Sequence, residues 1–263
     1  MGVKLTLLGT GTSQGVPVIA CDCPVCASED VRDRRLRSSV LFEVEGEDAP
    51  EGKRTFVVDT GPDFRQQMLR AQVQSLDAVL FTHEHKDHVA GLDDVRAFNF
   101  RQKRDMDLHA HERVQAALRR EFEYIFADDP YPGVPRVRMH GLDGTPLTIG
   151  GVHVVPLPVK HYKLPVFGFR IGAVAYITDA NALEPETWER LEGTEVLVLN
   201  ALRKEKHISH FNLDEALEVI AKVKPKVAYL THISHLLGRH ADVEAQLPDG
   251  VFLGEDGLTI SAS

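Results

Sequence analysis

The run His83-Glu84-His85-Lys86-Asp87-His88 places three imidazoles and the Asp87 carboxylate within six consecutive positions. Neutral imidazole nitrogens and ionised carboxylates are the donors that zinc, iron(II) and manganese accept, and the alternate spacing lets His83 and His85 converge from one loop edge. Further candidate donors each follow or end a strand-like run: His161 after Val155 to Lys160, Asp179 after Tyr176-Ile177-Thr178, and His232 after Tyr229-Leu230-Thr231. Taken singly, each fits a cap or turn residue as well as a ligand. Together with the first cluster they supply enough donors for metal. A second, softer group is Cys21, Cys23 and Cys26, the only cysteines in the chain. Their close spacing makes a poor disulfide framework and a good thiolate cluster in a reducing compartment, so a cytoplasmic location is expected. Three thiolates supply three ligands of a tetrahedral structural zinc, which needs one more donor.

The elements that must position these groups are strands. Leu76 to Phe81 reads as a buried strand delivering the first cluster to a sheet end. Other strand-like runs fall at Lys4 to Leu8, Ser39 to Val44, Thr55 to Val58, Val152 to Leu157, Phe167 to Ile171, Ala173 to Ile177, Val196 to Leu199, Val227 to Leu230 and Leu258 to Ile260. Helical recurrence covers Phe64 to Gln72, Val89 to Phe98, Arg113 to Phe126, Pro185 to Leu191, Leu213 to Val223 and Val243 to Leu247. This order predicts helices outside packed mixed sheets. The pair Val79-Leu80-Phe81-Thr82-His83 and Ala228-Tyr229-Leu230-Thr231-His232 is a faint internal echo: two apolar strands, each ending in Thr-His. Two sheets built this way would each push a histidine into a shared crevice. Glu45 to Arg54 and Asp128 to Pro135 read as inserted loops.

The 263 residues suffice for a large core, and one domain spanning 1–263 is expected. A net charge of −9 without a basic block disfavours a nucleic-acid groove and favours a small-molecule substrate. No stretch approaches the roughly 18 apolar residues of a membrane span, and the first residues read as a strand rather than a secretory signal. His109 and His111 read as surface or edge-strand residues, and Gly9-x-Gly11 as a tight turn after the first strand.

The chain resembles hydrolases of the metallo-β-lactamase superfamily, whose signature His-x-His-x-Asp-His stands here at His83 to His88. The similarity runs nearly the full length. It implies an α/β fold, a four-layer αββα sandwich of two mixed sheets flanked by helices. It also implies a dinuclear site: one metal on His83, His85 and His161, the other on Asp87, His88 and His232, with Asp179 bridging. Asp59, in Val57-Val58-Asp59-Thr60-Gly61, matches an acidic residue that orients the ligand imidazoles. Aspartate rather than cysteine at position 179 favours an oxygen-bridged pair suited to phosphoryl transfer.

The stretch Gly9 to Pro17, the cysteine cluster and Thr231 to His235 resemble the accessory phosphodiesterases of the carbon-phosphorus lyase pathway, which act on a ribosyl cyclic phosphate. That likeness makes His235 the fourth ligand of the structural zinc. It implies hydrolysis of a small cyclic or nucleotide-like phosphodiester by a hydroxide bridging two divalent ions, zinc or manganese. His210 would be the general acid, because the related enzymes carry a catalytic histidine just before this helix, and His207 competes for the role. A homodimer is implied on the same basis. Two other activities of the superfamily use the same ligands, tRNA 3′-end cleavage and thioester or lactone hydrolysis. The absence of an evident basic RNA-gripping insertion ranks the former below small-molecule cleavage.

Overall fold

The computed structural model describes residues 2–46, 49 and 52–262. Among these, the chain forms two mixed sheets. The first contains β1 (Val3–Gly9), β2 (Ser39–Glu45), β3 (Lys53–Val58), β4 (Ala78–Leu80), β5 (Met106–Ala110) and β6 (Val137–Gly141). The second contains β7 (Leu147–Ile149), β8 (Val152–His161), β9 (Leu164–Ile171), β10 (Val174–Ile177), β11 (Ala182–Leu183), β12 (Val196–Asn200), β13 (Val227–Thr231) and β14 (Val251–Leu253). The last strand, β15 (Thr259–Ala262), returns to the first sheet beside β1. Each sheet is antiparallel on one side and parallel on the other, changing over at β3 and at β10. Register makes the carboxyl ends of the parallel strands flush: Val58 pairs with Leu80, and Ile177, Leu199 and Leu230 lie in one row. Ligand crevices form at such ends, where strand order changes direction.

Alternation assigns the layers. Val40, Phe42, Phe56 and Val58 face inward against Val154, Phe169, Tyr176 and Val198 of the second sheet. Phe42, Phe56 and Phe169 are wholly buried, each contributing about 1.5–3 kcal/mol relative to exposure. Helices cover the two outer faces. Leu41, Val79 and Leu108 pack under α1 (Phe64–Arg70), the short α2 (Lys86–Val89), α3 (Arg96–Gln102) and α4 (Glu112–Glu121). Ala175, Leu197 and Leu230 pack under α5 (Pro185–Arg190), α6 (Leu213–Val223) and α7 (His240–Glu244). The parallel strands are therefore buried on both faces, which is why they read as unbroken apolar runs. Helix α6 matches its predicted span, fixed by a capping box: Asn212 Oδ1 accepts the Glu215 N–H at 2.9 Å, and the Glu215 carboxylate accepts the Asn212 N–H at 3.1 Å.

Several sequence expectations are corrected. The helix expected over Val89 to Phe98 is broken into α2, a 3-10 turn at Leu92–Val95 and α3. The break falls at Gly91, whose Cα packs so tightly on the Gly61 carbonyl that no side chain fits. The sequence shows no apolar run over β5 and β6 because one face of the pair carries Asp107, His109, Arg138 and His140. His109 is accordingly buried on an interior strand, stacked on His140 at 4.6 Å, rather than placed at a surface or edge. His111 caps α4 by accepting the Arg113 N–H at 3.3 Å. Gly9 and Gly11 make no tight turn; they let this segment lie against the backbone of residues 35–37. Asp128 to Pro135 carries no helix or strand. Of the Glu45 to Arg54 loop, residues 47, 48, 50 and 51 lie outside the described residues.

Candidate metal centre

Five strand ends converge. β3 delivers Asp59, β4 leads into His83–His88, β8 ends on His161, β10 leads to Asp179 and β13 to His232. Asp59, Asp179 and His232 take left-handed backbone angles, φ +65°, +57° and +55°. Such angles cost an L-residue about 1–2 kcal/mol and concentrate at functional sites. Each abruptly turns the chain off its strand so that the side chain faces the crevice. Gly61 packs against the Asp87 carbonyl with no room for a Cβ, which seats the α2 turn beside Asp59.

A hydrogen-bond relay fixes the imidazole tautomers. Asp59 accepts the Thr82 N–H and the Thr82 hydroxyl, both at 2.8 Å, and the His88 Nδ1–H at 2.7 Å. Thr82 has spent its only proton on Asp59, so its oxygen accepts the His83 Nδ1–H at 2.9 Å. His161 Nδ1–H donates to the Ser209 carbonyl at 2.8 Å. In all three rings a proton is held on Nδ1, and Nε2 of the neutral ring has the lone pair.

The donor atoms fall into overlapping groups, each within 4.8 Å: His83, His85 and His161; His83, His88 and Asp179; Asp87, Asp179 and His232; and His161, Asp179 and His210. Asp179 thus stands between the two triplets expected from sequence, and His210 Nε2 lies 3.2 Å from its Oδ1. His85 is exposed at the rim, while His83, His88, His161, Asp179, His210 and His232 are buried. The site fits cations. His88 Nε2 is buried with no hydrogen bond among the described residues, although Asp87 Oδ2 and Asp179 Oδ2 stand 3.1 and 3.3 Å away. Three acceptors facing one another in a site that also encloses the Asp59 carboxylate are mutually repulsive unless positive charge lies among them. With no cation present the His88 ring takes up that charge itself: burial lowers its pKa, but Asp87, Asp179 and Asp59 carry it well above the ordinary value, so its Nε2 holds a proton that a metal ion would displace. His83, buried and beside His88, is held well below.

The cysteine cluster lies beyond this site. The sulfurs of Cys21, Cys23 and Cys26 are 3.3, 3.4 and 3.5 Å from His235 Nδ1. A tetrahedral zinc with bonds of about 2.3 Å to sulfur and about 2.0 Å to nitrogen separates those atoms by roughly 3.5 Å, so the donor set fits that ion. The backbone N–H of Cys26 pulls the Cys23 thiol down to about 6, against burial and with help from His235. The N-terminal loop also reaches the buried histidines: Thr12 N–H donates to the Ile233 carbonyl at 3.1 Å, and Thr12 Oγ1 lies 3.2 Å from His232 Nε2.

Sequence analysis assigned no role to Thr82, Thr178, Thr12 and Ser38, all of which touch the candidate ligand histidines or carboxylates. One signal was available. Threonine immediately precedes His83, Asp179 and His232.

Two mixed sheets packed face to face, with a buried histidine and carboxylate cluster at their carboxyl ends, define a metallo-β-lactamase-type hydrolase fold. The model of the β-lactamase superfamily domain matches residues 54–233, and the chain belongs to that superfamily. A diphosphatase from the PhnP family, known from its crystal structure, superposes with a TM-score of 0.90 and 39% identity, covering 100% of this chain and 98% of that one. An octanoyltransferase of Porphyromonas gingivalis is 38% identical over 258 residues, 97% of this chain and 51% of the relative. This chain therefore spans about half the length of that relative. The short form of human tRNase Z shares the fold, with a TM-score of 0.67 at 17% identity over 98% of each chain. No helix among the described residues is long and apolar enough to cross a membrane.

Proposed function

We propose that the protein is a phosphodiesterase acting on a small cyclic or nucleotide-like phosphodiester, or on the chemically similar diphosphate linkage, through two divalent metal ions. The observation that carries this reading is the position of Asp179, whose two carboxylate oxygens face both donor triplets and His210. His83, His85 and His161 would hold one ion, Asp87, His88 and His232 the other, and Asp179 both. A zinc or manganese pair there supplies an activated water and neutralises charge on the phosphoryl oxygens. Asp59 keeps His83 and His88 in the tautomer whose Nε2 can bind metal. His210 sits at the buried floor beside Asp179, with Nδ1 3.0 Å from His207 Nδ1 and 3.1 Å from Ser209 Oγ. It would carry a proton on Nε2 to the departing oxygen. Cys21, Cys23, Cys26 and His235 would hold a structural zinc that ties the N-terminal loop to the segment bearing His232. All these donors come from one chain.

The likeness to an octanoyltransferase favours one rival, thioester hydrolysis, since the same ion pair can activate water toward a carbonyl carbon. The test is a panel. Manganese- and zinc-replete protein is assayed on bis-p-nitrophenyl phosphate, a dinucleotide diphosphate and an octanoyl thioester, with His83→Ala as control. Turnover of the phosphoryl substrates that vanishes in H83A supports the proposal, and turnover of the thioester alone refutes it.

A further inference from the structure

A cavity of about 520 Å³ opens beside the centre, lined by His85 and His161 of the candidate ligands, by Tyr162, Leu164 and Ile208, and by the polar residues Glu84, Arg113, Lys163 and Ser209. Two of these wall residues are costly to place there. Tyr162 is 50% and Ile208 66% exposed, so both present apolar surface to solvent. Tyr162 also occupies the tip of the β8–β9 hairpin, where His161 pairs with Leu164 across a two-residue turn, and its φ is +57°. Glycine, asparagine or aspartate normally fills such a position, because other side chains strain there.

The two residues are nevertheless held in register. The Asn181 side chain accepts the Tyr162 N–H at 2.8 Å and donates to the Ile208 carbonyl at 3.2 Å, while its own N–H bonds the Lys160 carbonyl at 2.8 Å. Asn181 is two residues past Asp179, and Ile208 two before His210. Asn181 thus ties the Tyr162 and Ile208 backbones together beside buried imidazoles, and a left-handed residue that the surrounding structure holds in place points to a role for its side chain.

We infer that Tyr162 and Ile208 form a platform for a planar aromatic ring, such as a nucleobase, carried by the substrate on the side of the departing oxygen. This rests on the phosphodiesterase reading for its orientation, since His210 lies on the same loop. A shallow, half-exposed wall suits a rigid ring, which loses little freedom on binding and stacks on tyrosine, better than a flexible alkyl chain, which needs an enclosing channel. Tyr162 is a specificity-determining residue in this reading and takes no part in the chemistry.

The test is a binding ratio on the metal-replete protein, with adenosine 5′-monophosphate and ribose 5-phosphate as probes of identical phosphate chemistry. Stacking one base contributes enough that the wild type should prefer the adenosine compound by about tenfold or more. Tyr162→Gly, which accepts the left-handed backbone, should bring the ratio close to one with an unaltered melting temperature, and Tyr162→Phe should keep it. A wild-type ratio near one, or a ratio unchanged in Y162G, overturns the inference, as does octanoate competing where the adenosine compound does not. The ratio is measured without turnover, so its failure is separate from a failure of the substrate panel.

Discussion

Asp59→Asn changes one buried atom and isolates the tautomer relay. The carboxylate accepts three hydrogen bonds, of which two, from the Thr82 hydroxyl and His88 Nδ1, converge on Oδ2. An asparagine can keep its oxygen on the Thr82 N–H, but its NH₂ then faces two donors. The Thr82 hydroxyl must turn to accept, which leaves its own proton without the Asp59 acceptor and loosens its hold on the His83 ring. His88 must move its proton to Nε2, the atom that faces Asp87 and Asp179. For the protein without metal the two effects oppose: charge-assisted hydrogen bonds worth about 1.5–3 kcal/mol each are lost, and the desolvation cost of a wholly buried carboxylate is relieved. Metal binding has no such offset. Affinity at the centre should fall by about 10–100-fold, or roughly 1.4–2.8 kcal/mol, while zinc at the cysteine cluster is retained. The assay is metal content by mass spectrometry after equilibration in buffered free zinc or manganese, paired with apo-protein melting. Unchanged occupancy of the centre at limiting metal would refute the relay.

Other perturbations probe separate parts. His210→Ala should slow hydrolysis of an alkyl-leaving phosphodiester by about 10²–10⁴-fold but hardly affect a p-nitrophenyl diester, whose leaving group needs no proton; equal losses on both would remove the acid assignment. Cys23→Ser should release one equivalent of zinc and lower the melting temperature by on the order of 10 °C, from about 4 kcal/mol for a saturating ligand at about 2–4 °C per kcal/mol. Its activity below the melting transition should persist. His109 and His240 are each pushed down to about 4, by burial first and then by His140 and Arg35 respectively. Both are neutral in the folded chain and protonate near 6.5 when unfolded. Their stabilising contribution is therefore complete above pH 6.5 and is lost as pH falls toward 4. Denaturant titrations across that window should show a shallower acid slope in His109→Phe, and an identical slope would count against the burial argument.

The donor types were legible because chemistry is local: His83 to His88 are contiguous, three cysteines fall together, and strand ends announce His161, Asp179 and His232. Most strands were legible for the same kind of reason, since period-two burial is written into neighbouring residues. β5 and β6 were obscured by the polar residues Asp107, His109, Arg138 and His140 that alternate along them, and the α2–α3 break by a backbone contact between Gly91 and Gly61, thirty positions apart.

Residue identity alone therefore determined the kinds of atom available and the strands that carry them. Tertiary structure decided which nitrogen of His83, His88 and His161 holds its proton against a protein acceptor, that Asp179 lies between two donor groups, and that Tyr162 and Ile208 line one cavity. Those outcomes depend on directions of approach between distant segments, set by strand register and by left-handed turns at Asp59, Asp179 and His232. No short window of sequence encodes a direction in space.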